Sequence, residues 1–125
     1  MGGKNMLTGF KTYLKVAWVC KTPLVLILDN EYTPISTNIL DEIATEISDK
    51  FEYIKNIADC DDAALLFKAA ASERKENSVG LIFGKTPNGL HAWNLAMCPD
   101  GLKEVEPQNA KMGKRKGYRP IMVII

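Results

Sequence analysis

The sequence has one histidine and three cysteines, lacks any C-x-x-C pair, and has almost no net charge. Cys20, Cys60 and Cys98 are widely spaced, which excludes a disulfide framework or a cysteine zinc site and favours a reducing, cytoplasmic setting. Sixteen basic residues against fifteen acidic give +1, so no overall field draws the molecule to nucleic acid or to an anionic membrane. A partner has to be recognised locally. The apolar stretch 16–28 is broken by Lys21 and Pro23 and falls short of the roughly 20 residues of a spanning helix, so no membrane anchoring is expected. The start MGGKNM shows no secretory pattern and puts Met6 where a myristoylation signal carries a hydroxyl. Internal repeats and low-complexity tracts are absent.

What is present suits one domain over 1–125. The chain is 46% hydrophobic and 25% charged, ordinary globular usage, and too short for a second core. The basic cluster at 111–119 (KMGKRKGYR) reads as a solvated loop rather than a phosphate site.

Apolar residues at three- and four-residue steps, Phe10, Tyr13, Leu14, Ala17 and Trp18, predict an amphipathic helix over 10–19. The run 24–28 reads as a buried strand or extended segment, and 29–36 as loop. A second helix, capped from 36–38 and carrying Ile39, Leu40, Ile43, Ala44 and Ile47 on one face, should reach about residue 51. The Ala- and Leu-rich stretch from residue 60 predicts the strongest helix, with Asp59 as N-cap and Cys60, Asp61 and Asp62 in its first turn. Segments 79–83, 91–98 and 103–106, divided by turns at Pro87-Asn88-Gly89 and Pro99-Asp100-Gly101, read as an antiparallel meander, followed by a last strand near Pro120.

A helix N-terminus and a nearby imidazole both favour a thiolate, which makes Cys60 the candidate nucleophile and His91 its candidate base. If the 99–101 turn is a two-residue hairpin with Cys98 opposite Gly101, His91 lies opposite Gln108 and Trp93 opposite Glu106 on one face. Glu106 is then the diagonal neighbour of His91 and the candidate third member of a Cys-His-acid triad. Glu104 reads as solvent-facing. Gln108, Trp93 and Asn94 are supporting or substrate-side candidates, Trp93 also fitting the core, and Asn56 is a candidate oxyanion partner.

At DCDDAALLFKAA, GLHAWN and EVEPQ, over roughly 51–108, the sequence resembles the papain-like protease domain forming the C-terminal part of a mushroom agglutinin, and its small bacterial and phage relatives. The resemblance implies an α+β papain-like fold with Cys60 as nucleophile, His91 as base and Glu106 as the acid. It also implies calcium dependence, with Asp61, Asp62 and Gln108 as metal ligands. A dication would counter the opposition of two carboxylates to thiol ionisation. The expected function is a thiol hydrolase cleaving a peptide or protein amide through an acyl-thioester. Alternatives are a deamidase or transglutaminase of the same fold, or a non-catalytic, phage-type binding or accessory module.

Overall fold

Two tight turns set the register of the central sheet. The computed structural model describes residues 6–125, so the leading glycines of the sequence lie outside the described residues. Strand β4 (Val79–Thr86) meets β5 (Gly89–Cys98) across Pro87-Asn88, with Thr86 opposite Gly89. Strand β5 meets β6 (Gly101–Glu106) across Pro99-Asp100, with Cys98 opposite Gly101, as the two-residue hairpin reading requires. Gly101 takes a φ of 137°, a conformation that L side chains rarely adopt.

The remaining elements dress this meander. Helix α1 (Gly9–Cys20), α2 (Thr37–Lys50) and α3 (Cys60–Glu73) join the short strands β1 (Leu7–Thr8), β2 (Val25–Leu26), β3 (Glu31–Tyr32) and β7 (Lys111–Met112) and the longer β8 (Arg119–Ile124). The large sheet runs β2-β8-β4-β5-β6-β7, and β1 pairs separately with β3, placing a short strand in what the sequence suggests is loop. Every pairing is antiparallel except β2 with β8.

Helices cover both faces. On one, α2 and α3 bury Leu40, Ile43, Ile47 and Phe67 against Val79, Ala96, Cys98 and Val105. On the other, Val16 and Cys20 of α1 meet Ile82, Trp93, Leu95, Met97 and Val123. Ser36 caps α2 as predicted, its hydroxyl accepting from the Ile39 N–H at 3.3 Å.

Two expectations are reversed. The buried stripe of α1 is Thr12, Val16 and Cys20, while Phe10, Leu14 and Trp18 face outward. Smaller side chains let the helix lie close to a sheet face already filled by Trp93 and Tyr32. The 24–28 segment is likewise not a buried strand but the sheet edge, with Leu24, Leu26 and Leu28 exposed.

Helix α3 is pinned to the sheet by Asn94, whose buried amide nitrogen donates to the Ala64 carbonyl on α3 and the Gly80 carbonyl on β4, both at 3.0 Å. Asn94 is thus a structural residue rather than a substrate contact. Asn94→Ala should cost about 2 kcal/mol of folding stability, because two acceptors lose a buried donor. Urea denaturation measures it, and a loss near zero would show that packing alone holds the helix.

Candidate functional site

Helix α3 opens on the site residues because Asp59 takes an extended conformation and ends the preceding turn. The Asp62 carboxylate reaches back to accept from the Asp59 N–H at 3.0 Å, in the manner of a capping box. This fixes Cys60 as the first helical residue. It is half-buried and packs beside Ala64, Leu81, Phe83 and Ala92.

His91 sits near the start of β5, with its Nε2 2.6 Å from Glu106 Oε1. With Nε2 turned to Glu106, Nδ1 is the ring nitrogen left for another partner. The ring stacks on Trp93 at 5.7 Å and meets Tyr118 edge-on at the same separation. Gly84 makes room for this packing. A Cβ there would collide with the Arg119 carbonyl oxygen and lie 2.8 Å from the Trp93 ring.

Cys60 and His91 line one cleft of about 470 Å3, together with Asp61 and an apolar wall that includes Leu24, Phe83, Leu90, Ile121 and Met122. A concavity of similar volume, about 490 Å3, lies beside the start of α1 and holds neither thiol nor imidazole.

The sequence-predicted set divides. Cys60 and His91 line the same cleft, and Glu106, which is not part of its lining, is the buried partner of the imidazole. Trp93 is 1% exposed, so it is core and not a substrate platform. Glu104, expected to face solvent, is buried and accepts from the Trp93 indole at 2.9 Å. A buried indole N–H needs an acceptor, and the residue diagonal to it on the next strand supplies one. That pairing was readable from the hairpin register. Asn56 occupies a left-handed position (φ 64°) in the exposed turn before α3 and is not among the cleft residues. Gln108 follows β6, its N–H facing the Glu106 carboxylate at 3.5 Å.

Beside the thiol, carboxylate oxygens of Asp59, Asp61 and Asp62 lie within 4.8 Å of one another. Asp61, through a hydrogen bond and its charge, and then Asp62 push the Asp59 carboxyl from the ordinary value of 3.8 up to about 6.

Residues 13–125 match the family described as the ricin-type beta-trefoil lectin C-terminal domain. No curated protein matches the chain. Among solved structures it is similar to Polyporus squamosus lectin bound to the human-type influenza-binding epitope Neu5Aca2-6Galb1-4GlcNAc, at 19% identity and a TM-score of 0.83, over 97% of this chain and 50% of that one. A structure titled PSL1a-E64 complex matches at 21% identity and a TM-score of 0.81, with the same coverages. The chain therefore spans about half the length of these structures, and the likeness is one of fold.

These matches uphold the resemblance to the C-terminal part of a mushroom lectin and overturn the thiol hydrolase drawn from the sequence. The family is described as a lectin domain, and the first matched structure is a lectin holding a sugar epitope. The protease assignment and its amide substrate are therefore not retained. The gathered residues have a plain structural use. A buried Glu106 needs a donor whatever the domain does, and His91 provides it while packing on Trp93 and Tyr118.

The three thiols should differ sharply in reactivity. Burial, with the Glu104 carboxylate, pushes the Cys20 thiol up to about 11, and burial also raises Cys98. Two units above an ordinary thiol is roughly a hundredfold less thiolate. Maleimide at neutral pH followed by peptide mapping should therefore find Cys60 modified first. Equal rates at all three positions would mean that the start of α3 is closed to solvent.

Proposed function

We propose, on the premise that the chain belongs to the ricin-type beta-trefoil lectin C-terminal domain family, that it is a non-catalytic binding and accessory domain of a carbohydrate-recognising protein. The Cys60–His91 cleft is its binding surface, and the ligand there is an apolar stretch of a polypeptide partner. The observation that carries this reading is the chemistry of the wall. Leu24, Leu90, Ile121 and Met122 stand exposed around the opening, and Phe83 is half-buried within it. Against them stand the Asp61 carboxylate, the His91 imidazole and the Cys60 thiol. A saccharide asks for a convergent set of donors and acceptors, whereas this wall offers apolar area with a small polar end. The layout supports a papain-like arrangement, a thiol-bearing helix on a sheet that carries an imidazole and a carboxylate, retained without its chemistry. Three free thiols support a reducing, cytoplasmic setting.

The test is to select random peptides on the immobilised domain and to screen the same domain on a glycan array. Peptides with apolar residues should be enriched, and Leu90→Asp and Met122→Asp should each weaken them about tenfold, the loss of one buried aliphatic contact. Capture of glycans without peptides, or release of a cleaved peptide, would defeat the reading.

Calcium is part of the same proposal. Three carboxylates in close reach, one of them with its pKa raised to about 6 chiefly by its neighbours, form a donor set suited to a hard dication. Asp59, Asp61 and Asp62 would hold the ion, and Gln108 stays with Glu106 outside the set. The ion would neutralise the α3 start and order the mouth of the cleft.

The crowding has a pH signature. Between about 4 and about 6 the folded chain holds a proton on Asp59 that the unfolded chain releases, so stability falls as pH rises through this window. Asp61→Asn should flatten the fall by removing its main cause. Calcium should flatten it in the native protein and leave the variant nearly unchanged. Urea denaturation across the window, with calcium or a chelator, reads both effects. A native profile indifferent to calcium would leave the aspartates as helix-dipole residues only.

A further inference from the structure

Helix α1 carries a surface that nothing described so far uses. Phe10, Leu14 and Trp18 fall at four-residue steps, so they form one stripe along 12 residues of helix. Their exposures are 71%, 50% and 84%. Single exposed apolar residues need no explanation, but three large ones in a row on one helix face, two of them aromatic, do. The packing of the domain does not need them, because the sheet-facing stripe of α1 is Thr12, Val16 and Cys20.

Charge says what covers the stripe. Lys11 and Lys15 are exposed beside it and Lys21 caps the helix, while α1 contains no acidic residue. Lys114 reaches the same end of the helix, donating to the Val19 carbonyl at 2.9 Å. Exposed acids on neighbouring segments, Asp29 beside Gly9 and Phe10 and Glu31 paired with Thr8, stand at the opposite end of the helix. A second copy packed on the stripe would set one group of lysines against another with no acid in either helix, which opposes a dimer. An anionic bilayer surface meets both features at once. It takes aromatic and leucine side chains into the headgroup boundary and attracts the lysines around them.

We infer that α1 is a peripheral membrane-binding face, lying in the plane of an anionic lipid surface with Phe10, Leu14 and Trp18 inserted and Lys11, Lys15 and Lys21 at headgroup level. None of the described helices is long and apolar enough to cross a membrane, so the mode is interfacial. This goes beyond the proposed polypeptide cleft and does not depend on it.

The experiment uses the full chain with phosphatidylcholine vesicles, with and without phosphatidylserine. Trp93 is buried and should give a constant background, so a blue shift of tryptophan emission reports Trp18 entering the interface. The shift should appear with phosphatidylserine, weaken with added salt, and be matched by co-sedimentation of protein with vesicles. Trp18→Ala should reduce sedimentation about tenfold or more. Lys11→Glu and Lys15→Glu should each reduce it at least about fivefold. All three positions are exposed, and an unchanged melting temperature shows that each variant keeps its fold. Equal binding to both vesicle types would overturn the electrostatic half of the inference, and binding to neither would overturn the whole. A concentration-dependent dimer in free solution that Trp18→Ala dissolves would overturn it in favour of self-association.

Discussion

The side-chain amide of Asn94 is the interaction on which the rest of the structure depends. Fully buried on β5, it donates to one carbonyl on α3 and one on β4, and so joins three elements through two hydrogen bonds. In a low-dielectric interior such bonds are directional constraints that apolar packing cannot supply. Because α3 begins only four residues before Ala64, this anchor also fixes where Cys60 and the aspartates around it stand relative to β5 and His91. The amide oxygen of Asn94 is buried and has no partner among the described residues, so the residue is kept for its donors.

Much of this was legible in the sequence where the signal was local. Turn chemistry at Pro99-Asp100-Gly101 set the hairpin register, and that register brought Glu106 within reach of His91. Asp59 and Ser36 marked helix starts through ordinary capping. What periodicity could not decide was which of two stripes α1 turns inward. Thr12, Val16 and Cys20 recur at the same spacing as Phe10, Leu14 and Trp18, and hydrophobicity alone favours the wrong one. The choice depends on how much room the sheet leaves above Trp93 and Tyr32, a property of the assembled core. Glu104 was misread similarly, since its burial follows from the indole it serves and not from its own polarity.

Function was the least legible layer. A thiol at a helix start, a lone imidazole and a carboxylate are individually common, and a histidine bonded to a buried carboxylate and packed on aromatic rings accounts for the imidazole beside the thiol. Side-chain identity names the groups that meet, and it does not say what reaches them. The apolar wall around Cys60 and His91 is built by residues far apart in the chain, Leu24, Phe83, Leu90 and Met122, so no linear motif could announce it. The wall is the observation on which the proposed polypeptide surface rests.

A net charge of +1 concealed a separation of charge that the fold makes plain. Acidic residues gather at the N-terminus of α3, where the helix dipole favours them, while α1 carries lysines alone. Helices α3 and α1 pack on opposite faces of the sheet, and the cleft draws on both, with Cys60 from the α3 side and His91, stacked on Trp93, from the α1 side. Counting charges over the chain sums the acidic start of α3 and the basic α1 to almost nothing, so net charge alone hides both.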